Sequence, residues 1–257
     1  MESLRAYTAN NRGSIINVVY VVAVLVGLYY LYKWLVSGSD LEYVALDKEV
    51  DANVPQQFAL PAGSNRLRVK RGGEYTLSFW MHINSWELNA GRPKGVVRIL
   101  EAGDPSPLMA AVLYPNEPIM AVRVRQDTSI DLTTTGTNGV TSPMCDLADI
   151  SLQRWIHVAV SVNGRIVDTY YDGKLARSCV LPKLPYASDS KAQTIEIGFA
   201  ATTGSNGFAG KISGIEFFAY PLTPDRIYSL YQAGPAGPSG LLGYIKEKLG
   251  INIKYSA

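Results

Sequence analysis

Arg154-Trp-Ile-His-Val-Ala-Val-Ser-Val-Asn-Gly-Arg-Ile-Val-Asp-Thr-Tyr-Tyr-Asp-Gly-Lys174 decides the fold class. Ile156, Val158, Val160 and Val162 recur at period two and so share one face of a strand. Asn163-Gly164 then supplies two residues that tolerate positive φ, the requirement of a type I′ hairpin turn. The chain returns through Ile166 to Tyr171, and Asp172-Gly173 reverses it again, so 175–181 forms a third strand. Three adjacent antiparallel strands exclude a Rossmann or (β/α)8 architecture, whose neighbouring strands are parallel.

Outward from this meander, strand-like runs occur at 96–101, 109–114 and 119–126. Turn clusters separate them at Gly103-Asp104-Pro105-Ser106-Pro107 and at Tyr114-Pro115-Asn116-Glu117-Pro118. That punctuation belongs to a sandwich of antiparallel sheets. The polar run 133–142 reads as a surface loop at its rim.

The motifs resemble those of laminin-G-like domains in the concanavalin A-like lectin/glucanase superfamily. They are Trp155-Ile156-His157-Val158-Ala159, the Gly-bearing hairpins, Tyr171-Asp172-Gly173-Lys174, Ile197-Gly198-Phe199, Phe208-Ala209-Gly210-Lys211-Ile212 and Leu222-Thr223-Pro224, with Tyr75-Thr76-Leu77-Ser78-Phe79-Trp80-Met81 upstream. The resemblance covers roughly 60–234 and implies a mainly β fold, an antiparallel jelly-roll sandwich closed by a short helix beginning at Leu222-Thr223-Pro224. A narrower likeness rests on Phe79–Trp86, Leu152–Trp155 and Asp172–Pro182. Those strings are similar to membrane-anchored laminin-G-like proteins of large double-stranded DNA viruses.

Ile15 to Val36 is a 22-residue run with no charge before Lys33. As a helix it is about 33 Å long, enough to span a bilayer. Tyr20 near one end, and Tyr29, Tyr30 and Trp34 near the other, suit the two interfaces, where an aromatic ring can be apolar on one side and wet on the other. The run is longer than the apolar core of a signal peptide, so an uncleaved anchor is expected. Lys and Arg are too evenly placed on its two flanks to fix an orientation. The expected organisation is a flank (1–14), a transmembrane helix (15–36), a tether (37–59) with one short strand at 41–46, a sandwich (60–234) and a Gly/Pro linker with a short amphipathic segment (235–257). In the last, Leu241, Leu242, Ile245 and Leu249 would share one helix face.

At 257 residues, 47% hydrophobic and 18% charged, the chain can bury one sizeable core. A net charge of +2 gives no reason to expect nucleic acid. Arg66, Arg68 and Lys70 alternate with Leu67 and Val69, which predicts a strand with a basic stripe for contact with acidic neighbours or lipid head groups.

The glucanase relatives carry Glu-x-Asp-x-x-Glu on one strand, which aims two carboxylates at one sugar. No such string occurs; Glu196 has no carboxylate two residues away. Nor is there a Gly-x-Ser-x-Gly elbow, a P-loop or zinc-ligand spacing, and His82 and His157 sit among apolar neighbours as structural histidines. The family's calcium sites use Asp side chains; Asp104, Asp127 and Asp131 are the candidates, but none lies in a diagnostic motif, so no cofactor is expected. Trp86 or Tyr114 could stack on a sugar ring. Cys145 and Cys179 are the only cysteines, either bridged or two buried thiols.

The expected protein is non-enzymatic, single-pass and structural. With the narrower resemblance, it is a virion membrane or minor capsid protein whose partners are a lipid bilayer and capsid proteins. The alternative is a cell-surface adhesion or glycan-binding module; a glycoside hydrolase ranks third.

Overall fold

A computed structural model describes residues 12–36, 41–61, 66–126, 145–188, 191–203 and 206–235. The expected loop at 133–142, the C-terminal amphipathic segment, Asp127 and Asp131 lie outside the described residues. The chain divides into two compact units, 1–39 and 40–257.

In the first unit, helix α1 runs Arg12–Val36. Its side chains are described only at 17 and 19–30, and all of them are exposed. Val19, Tyr20, Val22, Leu25, Leu28, Tyr29 and Tyr30 are among them, so the described part of the helix is apolar around its circumference. Ile15, Trp34 and Val36 fall outside the described side chains. The expected full-length span is therefore not supported: among the described residues no helix is long and apolar enough to cross a membrane. The described apolar run at 19–30 would be only about 18 Å long.

In the second unit, twelve strands among the described residues build a two-sheet antiparallel sandwich. They are β1 (Glu42–Leu46), β2 (Val50–Asp51), β3 (Gln56–Ala59), β4 (Glu74–Ser85), β5 (Lys94–Glu101), β6 (Asp104–Leu113), β7 (Met120–Val124), β8 (Trp155–Asn163), β9 (Ile166–Tyr171), β10 (Lys174–Val180), β11 (Gln193–Ile197) and β12 (Ala209–Phe218). One sheet has the order β1-β12-β4-β8-β9-β10, with β2 also on β12; the other has the order β3-β11-β5-β6-β7.

Period-two alternation fills the space between them. Tyr75, Leu77, Phe79, Met81 and Ile83 of β4 and Ile156, Val158, Val160 and Val162 of β8 are all fully buried, facing Ile99, Met109, Ala111, Leu113, Ile195 and Ile197 of the second sheet. The outer face of β4 is covered too. Helix α2 (Pro224–Ala233) lies there, with Leu222, Ile227 and Leu230 packed on Ala159, Tyr170 and Phe218. Thr76 Oγ1 pins its approach by accepting the Leu222 N–H (2.9 Å) and donating to the Tyr220 carbonyl (3.1 Å).

The meander forms as predicted, with one exchange of turn type. Asn163 pairs with Ile166 across the first hairpin, and positive φ falls on Gly164 alone, the first central residue, which is the type II′ pattern. The I′ pattern sits at the second hairpin, where Asp172 (φ 48°) and Gly173 (φ 74°) are both left-handed.

Two expectations are corrected. The short strand expected at 41–46 forms as β1, but it pairs with β12, and the rest of the segment read as a tether carries β3, which pairs with β11, so the sandwich begins well before residue 60. Arg66 to Lys70 is not a strand. The backbone N–H and C=O of Val69 are both taken by the side-chain amide of Gln193 (2.8 Å each), which stands in for a neighbouring strand.

β4 and β12 meet closely at Gly210, where a Cβ would collide with the His82 carbonyl and come within 2.8 Å of the Phe208 ring. Gly210→Ala is expected to lower the unfolding free energy by about 2–4 kcal/mol in urea titrations followed by tryptophan fluorescence, because the obstacle is backbone. A loss below about 0.5 kcal/mol would show that the two strands can separate freely there.

Candidate interaction surface

The outer face of the five-stranded sheet carries a cross-strand row of Gln57, Glu196, Arg98, Ala110 and Arg123. Period two turns these residues away from the core, and register brings opposite charges side by side. Arg98 binds Glu196 Oε2 at 2.6 Å while its guanidinium lies 4.4 Å over the Phe199 ring. At the far end Arg123 forks onto Asp146, which also accepts the Tyr114 hydroxyl (2.6 Å). Burial, reinforced by the hydrogen bond to Asp146, raises the Tyr114 phenol above its ordinary value. For Arg123 burial works the other way, yet the Asp146 contacts still raise the guanidinium.

A second cluster surrounds the fully buried Arg125. Its Nη2 donates to Glu101 Oε2 (2.8 Å), and its Nη1 donates to Asp104 Oδ2 and the Ser106 carbonyl (2.8 Å each). The other Glu101 oxygen accepts the Ser188 N–H at 2.6 Å. Asp104 also accepts the Ser106 N–H; this bond, opposed by burial and helped by Arg125, holds its carboxyl below the usual range. Both Asp104 oxygens are thus engaged, and among the described residues no group of three acidic, His or Cys side chains could hold a metal ion.

A Ser–His pair lies under α2. His157 Nε2 is 2.9 Å from Ser78 Oγ, and its ring lies beside the stacked Trp80 (5.1 Å) and Tyr231 (6.2 Å). It is not a hydrolytic triad. Asp172 accepts the backbone N–H of His157 (3.0 Å) rather than Nδ1, which has no partner, and Ser78 is buried. Burial pushes the imidazole down to about 4, against the pull of Asp172. Across the same face, burial lifts the Glu216 carboxyl to about 7, with Arg226 opposing and Glu42 assisting.

The sugar-stacking candidates are also engaged. Trp86 packs on the core, donates Nε1–H to the Pro115 carbonyl (3.1 Å) and has Lys94 Nζ 5.3 Å from its ring; Tyr114 is held by Asp146. Arg66 and Lys70 are exposed and Arg68 is half-buried, so the basic residues do alternate outward around buried Leu67 and Val69 without a strand. Cys145 and Cys179 form a disulfide with Cα atoms 5.7 Å apart. It clasps β10, at one edge of the larger sheet, to the segment whose Leu147 bridges β7, at the edge of the other.

Sequence reasoning missed Arg123, Arg125, Asp146 and Glu101. Their one local signal is Arg123-Val124-Arg125, two bases alternating about an apolar residue in a short strand.

With the two-sheet architecture in place, the family model Laminin_G_3, described as the concanavalin A-like lectin/glucanases superfamily, matches residues 56–228. The chain belongs to this superfamily. Among solved structures, this superfamily member is similar to the botulinum neurotoxin serotype D binding domain (14% identity, TM-score 0.50, covering 76% of this chain and 52% of that one). It is also similar to the binding domain of botulinum neurotoxin DC in complex with rat synaptotagmin II (19%, 0.44, covering 62% and 36%). A third likeness is to domain 4 of AbnA, a GH43 extracellular arabinanase from Geobacillus stearothermophilus, in complex with arabinotriose (18%, 0.43, covering 68% and 72%). These likenesses concern fold alone, and the chain spans about a third to a half of the neurotoxin binding domains it matches. No curated protein matches it.

His157 and Glu216 give opposite pH dependences. A histidine lowered in the folded state costs stability as pH falls from 6.5 towards 4; a carboxyl raised in the folded state costs stability as pH rises from 4.5 towards 7. In the wild type the two partly cancel. Glu216→Gln is expected to raise the Tm at pH 8, by up to about 3 kcal/mol in stability, and to leave it unchanged at pH 4. An equal gain at both pH values would contradict a buried, reluctantly ionised Glu216.

Proposed function

We propose that the protein is a non-enzymatic, single-pass membrane-anchored interaction module whose sandwich contacts other proteins. The observation that carries this reading is α1, whose described side chains expose an apolar surface around the whole helix. In water such a helix is unfavourable; in lipid it needs no partner. The flanking sequence extends the apolar run to 15–36.

The absence of catalysis is supported by occupied carboxylates. Glu196, Glu101, Asp104 and Asp146 are each paired with an arginine, so none stands beside a second free acid as glycoside hydrolysis requires. The finer reading is a virion membrane or minor capsid protein that ties the inner membrane of a large DNA virus to its shell, supported by the sequence strings at 79–86, 152–155 and 172–182.

Full-length protein reconstituted with phosphatidylcholine liposomes is expected to float with them and to resist carbonate extraction. Val22→Arg with Leu25→Arg is expected to abolish both, since each arginine near a span centre costs about 2.5–3.5 kcal/mol. Extraction of the wild type by carbonate would refute the anchor. Sugar binding by the full-length protein on a glycan array would replace protein contact with carbohydrate recognition.

A further inference from the structure

Among the described residues, strand β10 is an open sheet edge. It pairs with β9 on one side, and among the described residues no strand pairs with the other. Six of its seven residues are exposed; only Cys179 is buried. An edge of that length presents unpaired backbone N–H and C=O groups, and proteins ordinarily shorten, bulge or cover such an edge. Here the bulge between Leu175 and Arg177 is confined to one end, and the disulfide holds the strand in place from below.

The side chains along this edge sort by face. Leu175 pairs with Tyr170, and Val180 with Ile166, so Leu175 and Val180 stand on the outer face, on the side where α2 packs. Leu175 (55% exposed) stands near one end of that face and Val180 (56%) with Ile166 (44%) at the other, separated by the polar pair Ser178 and Asp168, while Tyr228 of α2 lies against the Gly173 turn. On the opposite face, Lys174 pairs with Tyr171 and Arg177 with Thr169. Lys174 has no ion-pair partner among the described residues, and the Arg177 guanidinium reaches only the Asp146 carbonyl (3.2 Å). β10 itself contains no acid.

We infer that β10 is a docking edge for an extended acidic segment of a partner protein, added as a further strand with acids opposite Lys174 and Arg177 and apolar residues opposite Leu175 and Val180. Backbone hydrogen bonds supply affinity in this mode, and the alternating side chains supply selectivity. A second copy of the chain fits poorly. Fully overlapped antiparallel pairing of two β10 strands sets Arg177 against Arg177, and like charges directly opposite are destabilising. The inference gives the partner chemistry of the interaction module proposed above. It also fails separately, because peptide binding and liposome anchoring are read independently.

The test uses full-length protein in detergent micelles and fluorescent eight-residue peptides alternating Val with Glu or Val with Lys. The Val/Glu peptide is expected to bind and the Val/Lys peptide not to. The double reversal Lys174→Glu, Arg177→Glu is expected to weaken the acidic peptide at least about fivefold and to admit the basic one. A Val/Glu peptide N-methylated at alternate residues cannot complete the ladder and is expected to lose binding to the unaltered protein. Absence of Val/Glu binding would overturn the proposal, as would binding indifferent to charge reversal. Equal binding of the N-methylated peptide would reduce the contact to charge alone and overturn strand addition.

Discussion

Strand β4 has to be buried on both faces, and most of the structure follows from that. Its odd-numbered residues from Tyr75 to Ile83 form the middle of the inter-sheet core. Its even-numbered residues include Trp80, whose ring is too large and apolar to leave in water and is stacked against Tyr231 of α2 at 5.8 Å. Without α2, the patch of Ala159, Tyr170 and Phe218 would be open to solvent alongside Ser78 and His157. The short helix is therefore a second lid on the sheet. Its seat is prepared by the Asp172-Gly173 turn, where only a glycine leaves room for Tyr228 and Tyr231.

The charged residues follow a similar rule. Arg98, Arg123 and Arg125 are drawn onto or into the sandwich, and each brings a carboxylate with it. Breaking such a buried pair leaves an uncompensated charge, so these clusters fix geometry more than they add stability. Among the described residues, surfaces open to a partner include the apolar circumference of α1, the exposed Lys70 and the edge along β10.

The meander was legible from sequence because its signals are local: period-two valines, Gly-bearing turns and a compatible spacing. The Leu222-Thr223-Pro224 start of α2 was legible through the family resemblance, and it suits a helix because proline fits the first turn. The turn types were only partly legible, because Asn163-Gly164 fits more than one register and pairing of Asn163 with Ile166 shifts the turn by one residue. Strand β1 was legible as a short strand at 41–46, but its pairing with β12 and the whole of β3 were hidden, since their partners lie more than a hundred residues away. Arg66 to Lys70 misled for the converse reason: its alternation is real, but its backbone is satisfied by the Gln193 side chain. The arginine clusters depend on cross-strand register between distant segments, which no local pattern reports. Neither could spacing alone decide whether Cys145 and Cys179 meet.

Residue-resolved native-state hydrogen exchange on the full-length protein tests this picture most directly, because a sheet closed on both faces yet open along one edge should exchange unevenly. The amides of Leu77–Met81 and Ile156–Val160 should exchange only through global unfolding, while protection along Lys174–Val180 should alternate, with the outward amides faster by roughly a thousandfold. Uniform protection along β10 would mean that its edge is already covered. Exchange of the β4 amides at the β10 rate would mean that α2 does not close the outer face.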